Sequence, residues 1–277
     1  MPELPEVETV RRGMESAIQG HTIKSVQVKR HDLRVRVPDD FGQHLTGRRI
    51  ESLTRRGKYI IMEFHPAGRA VILHLGMSGR IRIFKPDSPY VPRKHDHIIV
   101  RMDDSCCFAF EDPRRFGMMY IAPQESWQAD KPFAAMGAEP LEAWSAADLL
   151  AKLHNKKTNI KTALLDQRVV AGLGNIYVCE ALYYARINPA RLSHTITPAE
   201  AHRIVSCCQD VLRKAIEAGG STLRDYQLTD GSLGYFQYRF AVYDRAGDPC
   251  QNDQCDSQII RIVQAGRSTF YCPACQK

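Results

Sequence analysis

Met1-Pro2-Glu3-Leu4-Pro5-Glu6-Val7-Glu8 opens the chain, and everything downstream is read from it. Val7, Val10, Met14 and Ile18 recur at helical spacing and Gly20 follows as a stop, so the spacing predicts a helix from Pro5 to Gln19. Pro5 suits the first helical position, where its missing N–H would have no partner anyway. Removal of Met1 leaves Pro2 as a secondary amine with two carboxylates, Glu3 and Glu6, a few residues away. Such an amine attacks an aldehyde-like carbon to give a cationic iminium directly, which is covalent catalysis of the Schiff-base kind. A free α-amino group titrates near ~7.7–8.0, so a useful fraction is neutral at pH 7. The positive end of the helix disfavours the protonated amine further. The plainer alternative is a capped helix start with no chemistry attached.

The chain is long enough for two domains at 277 residues, and 44% hydrophobic with 25% charged residues is ordinary for a soluble protein. No apolar run is long enough to span a membrane, and the acidic start lacks the apolar core of a secretion signal. Thirty-eight Lys and Arg against 31 Asp and Glu give a net charge of +7, which fits a polyanion partner without demanding one. Nine cysteines, an odd number with adjacent pairs at Cys106-Cys107 and Cys207-Cys208, make a poor disulfide framework. A reducing cytoplasm is expected.

Cys250-x4-Cys255-x16-Cys272-x2-Cys275 is a different matter. Four thiolates in two close pairs suit one tetrahedral structural Zn²⁺. Between them, Ile259–Val263 and Arg267–Tyr271 read as two strands around Gln264-Ala265-Gly266, which makes a zinc-ribbon hairpin.

Residues 22–122 are strand-like, with runs at Ile23–Val28, Tyr59–Phe64, Ala70–Leu75, Arg80–Phe84, His97–Met102, Cys106–Glu111 and Gly117–Ile121. That spacing predicts an antiparallel sandwich or barrel. After a Pro- and Gly-bearing stretch the chain turns helical. Capping boxes at Ser145/Asp148 and Thr197/Glu200 start two helices, and further helices are expected near 158–167 and 175–185. Residues 219–238 are rich in Gly, Ser, Thr and Tyr and read as a long mobile loop. The fold expected is α+β and multidomain. Its parts are a β-sandwich domain over 1–130, a linker over 131–144, a helical domain over 145–240 that carries the loop, and a zinc hairpin over 241–277.

Other blocks are ambiguous on pattern alone. Lys58, in Arg55-Arg56-Gly57-Lys58-Tyr59, reads as a surface lysine at a strand start. His95 and His97 fall on one face of a strand, as structural histidines or a metal pair would. Met77, in His74-Leu75-Gly76-Met77-Ser78-Gly79, and Phe116, in Asp112-Pro113-Arg114-Arg115-Phe116-Gly117, pass as core residues. Gly172-Leu173-Gly174-Asn175 reads as a tight interhelical turn or as a backbone cradle for a phosphate at a helix N-terminus. Arg267 reads as an exposed hairpin arginine.

The opening Pro2–Glu8 stretch resembles the start of bacterial formamidopyrimidine-DNA glycosylases, and the resemblance continues through these blocks to Lys277. It implies a leading catalytic helix on the β-sandwich, a helix–two-turns–helix domain and the zinc hairpin. The implied activity is a bifunctional glycosylase and abasic-site lyase that excises 8-oxoguanine and formamidopyrimidines opposite cytosine from double-stranded DNA. The implied roles are Pro2 as nucleophile, Glu3 as proton donor to the sugar ring oxygen, Glu6 as holder of the Pro2 region, and Lys58 as helper in β-elimination. Arg267 would grip phosphate and assist δ-elimination. DNA contacts are implied for His74, Met77, His95, Arg114, Phe116, Lys157, Lys161 and Asn175, with Met77, Arg114 and Phe116 filling the hole left by the extruded base. No metal is implied at His95 and no redox or nucleotide cofactor is needed. The family pattern has two residues inside the first cysteine pair where this chain has four, so Cys250 is the ligand in doubt. A monomer in the bacterial cytoplasm, associated with the nucleoid, is expected.

Two other readings stay open. The endonuclease VIII type shares the Pro-Glu start but begins Pro-Glu-Gly-Pro and lacks the Arg-Phe block; Leu4 and Arg114-Arg115-Phe116 stand against it. A zinc-ribbon DNA-binding protein without catalysis would not need Pro2, Glu3 and Lys58 together.

Overall fold

The computed structural model describes residues 2–221, 229 and 234–277. Met1, and residues 222–228 and 230–233 of the stretch read as a mobile loop, lie outside them. The chain forms two compact units, Met1–Ala134 with Ala218–Tyr235, and Ala135–Glu217 with Phe236–Lys277. The boundary expected from the sequence runs the helical domain from 145 to 240; the segment after Glu217 instead groups with the N-terminal unit until Tyr235.

In the first unit, helix α1 (Leu4–Ile18) buries Leu4, Val7, Val10, Met14 and Ile18, the face read from the sequence. It precedes β1 (Ile23–Val28), a short α2 (Phe41–Leu45), β2 (Arg49–Arg56), β3 (Tyr59–His65), β4 (Arg69–His74), β5 (Arg80–Phe84), β6 (Asp96–Met102), β7 (Cys107–Glu111) and β8 (Met118–Pro123). These strands make two four-stranded antiparallel sheets, ordered β2-β3-β4-β8 and β1-β6-β7-β5. Alternate residues such as Ile60, Met62 and Phe64 on β3, and Phe108 and Phe110 on β7, join the α1 residues in one core. Strand β2 has no counterpart in the sequence reading. Its two core residues, Ile50 and Leu53, are three apart because the register shifts between Ile50 and Ser52. That extra residue hides the period-2 signal.

A salt-linked staple fixes α1 to β2. Glu8 takes Arg11 at 3.1 Å and Arg55 at 3.2 Å, and Arg11 Nη1 donates to the Leu53 carbonyl. Glu8 is largely shielded from water. Burial alone would raise its carboxyl, and the bonds from Arg11 and Arg12 outweigh that and hold it below the usual range.

The second unit follows a short helix α3 (Lys131–Ala134). It holds α4 (Ala146–Leu153), α5 (Ile160–Leu165), α6 (Asn175–Tyr184) and α7 (Pro198–Glu217), with α4 and α6 packed on α7. Ser145 and Asp148 cap α4 reciprocally, as the sequence predicts. The hairpin β9 (Ile260–Gln264) and β10 (Arg267–Tyr271) turns at Ala265 and Gly266, both with positive φ. That is the pair of conformations a tight two-residue hairpin requires. Buried Glu180 on α6 anchors the chain that leads to this hairpin, accepting from the amides of Ala241, Val242 and Tyr243 at 2.8–3.0 Å. No described helix is long and apolar enough to cross a membrane.

Candidate active site and zinc centre

The head of α1 is built to immobilise Pro2. Pro2, Glu3 and Glu6 are all buried, the two glutamates at 2% exposure each. Glu3 and Glu6 close a reciprocal capping box, in which the Glu3 amide donates to Glu6 Oε2 at 2.8 Å. The other oxygen, Glu6 Oε1, accepts the Ser221 amide at 2.8 Å and its hydroxyl at 3.1 Å. One carboxylate therefore ties the peptide after Pro2 to a segment more than two hundred residues away. Gly220 makes room for it: with φ at +80°, a side chain there would be strained, and its Cβ would lie 3.0 Å from Glu6 Oε1.

Lys58 is not the surface lysine that pattern alone suggests. It lies in the two-residue turn between β2 and β3, where Arg56 pairs with Tyr59, and is 8% exposed. Lysine is seldom buried to that degree unless partnered. Tyr59 in turn pairs with His74 across β3 and β4, their rings 4.7 Å apart. Burial, then the charges of Lys58 and Arg34, push the His74 imidazole down to about 4. Its Nδ1 accepts the Gly76 amide at 2.9 Å, so the neutral ring carries its proton on Nε2. The side chain is neutral at pH 7 and shapes the Met77 loop, so it offers no positive charge to a phosphate.

Met77 and Phe116 are not core residues: they are 39% and 44% exposed, unusual for such side chains inside a well-packed unit. The loop after β4 and the turn after β7 bring them to one place. A Cβ on Gly76 would fall 2.4 Å from the Gly117 nitrogen, so the two backbones touch there. Arg114 stacks its guanidinium over the Phe116 ring, 4.9 Å to the centroid. Asp112, fully buried, accepts the Ser78 hydroxyl at 2.6 Å and the Gly117 amide at 2.7 Å.

The two histidines of Lys94-His95-Asp96-His97 have different environments. His97 is buried and its Nε2 bonds the Asp112 carbonyl at 2.7 Å, which is structural. His95 is half-buried, and its carbonyl accepts the Asp112 amide. Asp96 between them fixes the approach to His95 through Arg82, Tyr90 and the Arg93 amide. Burial alone would raise the Asp96 carboxyl; the bonds from Arg82, Arg93 and Tyr90 hold it below the usual range.

In the second unit, Arg267 is exposed at the hairpin tip and Lys157 is exposed before α5. Lys161 is placed otherwise than expected. It is fully buried, and its ammonium donates to the Ser268 carbonyl at 2.9 Å and to Thr269 Oγ1 at 2.7 Å. A side chain sealed from solvent braces the hairpin rather than meeting a phosphate. Asn175, the first residue of α6, donates its amide to the same Ser268 carbonyl at 2.9 Å. The residue after Arg267 is thus held from two helices at once.

The four hairpin cysteines have all their sulfurs within 4.8 Å of one another. Cys250 and Cys275 are 3.8 Å apart, Cys255 and Cys272 3.7 Å. A tetrahedral site with Zn–S near 2.3 Å has edges of about 3.8 Å, so the donor set fits one Zn²⁺ with no open position. The long first knuckle closes through a turn in which the Cys255 amide donates to the Asn252 carbonyl. Cys250, the ligand in doubt, is 8% exposed and its sulfur lies 3.4 Å from the Tyr183 hydroxyl. It is better enclosed than Cys255, which is only half-buried.

Asp112, Ser221, Glu180 and the Ser268 carbonyl were missed in the sequence. Most of their partners lie far along the chain, and only Asp112, which heads the block Asp112–Gly117, stood in a stretch that the sequence singles out.

Comparison with known proteins matches three family models in succession. They are the formamidopyrimidine-DNA glycosylase N-terminal domain over 1–119, the formamidopyrimidine-DNA glycosylase H2TH domain over 136–227, and the zinc finger found in FPG and IleRS over 247–277. The formamidopyrimidine-DNA glycosylases of Azorhizobium caulinodans and Caulobacter vibrioides are 46% and 48% identical to this chain, each with both chains covered in full. Among solved structures, Lactococcus lactis Fpg in complex with DNA containing an abasic site superposes with a TM-score of 0.87 at 35% identity, over 99% of both chains. Thermus thermophilus MutM gives 0.87 at 37% identity, over 99% of this chain and 98% of its own.

Proposed function

We propose that this chain, which belongs to the formamidopyrimidine-DNA glycosylase family, does its chemistry with the residues gathered at the head of α1 and in the β-sandwich turns. It is a DNA glycosylase and abasic-site lyase of base excision repair, and the assignment of residues to steps is our reading. The Pro2 nitrogen attacks C1′ of the damaged nucleotide as the bond from C1′ to the base breaks. Glu3 protonates the ring oxygen and the ring opens to the iminium. Loss of a C2′ proton then expels the 3′ phosphate, with Lys58 assisting, and a second elimination on the 5′ side releases the other phosphate, with Arg267 gripping it. Glu6 touches no reacting atom in this scheme; it holds the Pro2–Glu3 peptide. The zinc supplies no chemistry and keeps the hairpin folded. Double-stranded DNA with oxidised purines or abasic sites is the partner, and a monomer in the bacterial cytoplasm, working at the nucleoid, is the setting.

The observation that carries this reading is the burial of Pro2 beside Glu3 and Glu6, which cap the helix reciprocally, with the Glu6 carboxylate accepting the amide of the Pro2–Glu3 peptide. An ordinary helix start exposes its cap. Borohydride trapping on abasic DNA is the test, with the adduct mapped by mass spectrometry. Reduction is expected to fix the DNA to the Pro2 peptide; an adduct on Lys58 alone, or none, rejects the assignment.

Arg114 is the reader of the base left behind. Its exposed guanidinium, propped on Phe116, offers a fixed fork of donors that suits cytosine. A hydrogen-bonding pair of this kind discriminates by roughly ten- to a hundredfold. Arg114→Ala is expected to lower single-turnover excision opposite cytosine by about that factor and to change excision opposite adenine much less. Equal losses on the two duplexes would show that Arg114 only grips the backbone.

A further inference from the structure

We infer that Asp112 is the positioning residue that locks the Met77 loop and the Arg114–Phe116 turn into one preassembled wedge. The inference rests on the wedge reading above and assigns its rigidity to a single buried carboxylate. The two segments are separated in sequence by three strands, β5, β6 and β7; the β5–β7 and β4–β8 ladders bring their ends side by side and leave the tips to be tied together. Asp112 ties them with both oxygens. Oδ1 accepts the Ser78 hydroxyl at 2.6 Å, which holds the loop next to Met77. The Arg114 amide lies 3.3 Å from the same Oδ1 and 3.3 Å from Ser78 Oγ, so the hydroxyl and the carboxylate share it. Oδ2 accepts the Gly117 amide at 2.7 Å, on the far side of Phe116.

The backbone of Asp112 is committed as well. Its carbonyl takes His97 Nε2 at 2.7 Å and the Arg115 amide at 3.3 Å, and its amide donates to His95. Arg115 sits at φ +58°, a conformation that a non-glycine residue adopts only when its surroundings impose it. Gly76 and Gly117 let the backbones close to contact, since a Cβ at Gly117 would fall 2.6 Å from the Phe110 ring and 3.0 Å from Asp112 Oδ2. The result is two exposed apolar tips and one guanidinium on a clamped backbone. A wedge ordered before it meets DNA avoids the entropy of ordering during base extrusion.

Charge-assisted bonds to a buried carboxylate are about twice as strong as neutral ones. Asp112→Asn keeps the shape but turns an N–H₂ toward one of the donors that the carboxylate accepts. Excision of 8-oxoguanine opposite cytosine is expected to fall by about 10- to 100-fold in single turnover, at 1.4 kcal/mol per decade. Strand cleavage at a preformed abasic site, which has no base to extrude, is expected to fall at least tenfold less. In a Phe116→Ala background the Asp112→Asn change is expected to cost clearly less than it does alone, because part of its effect runs through that side chain. Ser78→Ala removes one bond and leaves the buried charge in place; it is expected to cause a smaller loss with the same bias toward excision, and it carries the test if the Asp112 variant does not fold. Equal losses on both substrates, or additivity with Phe116→Ala, overturn the proposal. If Phe116→Ala itself leaves excision unchanged, the wedge reading fails and the clamp with it. If Phe116→Ala impairs excision and neither Asp112→Asn nor Ser78→Ala does, only the clamp fails.

Discussion

Pro2→Gly is expected to lower base excision by about a hundredfold or more, the loss that follows when a reacting group leaves its aligned position. Glycine keeps an amine at the terminus, so the substitution removes two specific properties. A secondary amine forms a cationic iminium with no nitrogen proton to lose, whereas a primary amine gives an imine that must be protonated to be as strong an electron sink. The pyrrolidine ring also holds the nitrogen in a fixed orientation and fills a buried position, while glycine adds backbone freedom. Glu6 would still pin the Glu3 amide through the 2.8 Å bond, so the fold should hold. Melting temperature and DNA binding are therefore expected to change little, while excision and borohydride trapping collapse together. Full excision by the variant would falsify the nucleophile. So would active protein that retains Met1 by intact mass, because the Pro2 nitrogen would then be an amide with no basic lone pair.

Removing the zinc is expected to abolish DNA binding while leaving the first unit folded. Cys250, Ile259, Phe270 and Cys272 pack in one small cluster with Cys179, Tyr183, Ala241 and Val242, so the hairpin buries few apolar side chains of its own. Structural zinc sites of this kind contribute roughly 10–16 kcal/mol of coupled folding energy, more than such a hairpin can replace. Without it Arg267 loses its place, and Lys161 and Asn175 lose the Ser268 carbonyl that they share. Leaving a buried ammonium without partners destabilises the α5–α6 region as well. Chelation should thus give loss of binding, restored by one equivalent of Zn²⁺. Binding that survives in protein shown by elemental analysis to hold no zinc rejects the role. Sequence spacing alone marks Cys250→Ser as the mildest of the four ligand changes. The structure reverses that order: Cys250 is enclosed and near Tyr183, so its loss should be at least as severe as that of half-exposed Cys255.

Periodic and local features of this protein were legible without coordinates. The amphipathic face of α1, the caps of α4 and α7, most strands of the sandwich and the cysteine spacing are set by residues within a few positions of one another. Strand β2 escaped because a bulge put its two core residues three apart. The site was legible where it is a terminal feature or a named block, and it failed where burial decides. Lys58 and Lys161 are both lysines in basic stretches, and the sequence gives no reason to bury either. One lies in a tight turn beside His74, the other beneath a hairpin joined more than a hundred residues later. Met77 and Phe116 read as core, yet they face solvent because Gly76, Gly117 and Asp112 bring their backbones together and leave no room inside. By itself, then, the sequence carried the proposed nucleophile and the proposed zinc ligands, since a proline after the initiator methionine and a cysteine spacing are properties of single residues and short stretches. Only the tertiary structure decided which charges are sealed, which apolar tips are presented and which carboxylate holds them. Those outcomes depend on what distant chain covers each group, and the desolvation of a charge is a property of its surroundings rather than of its neighbours in sequence.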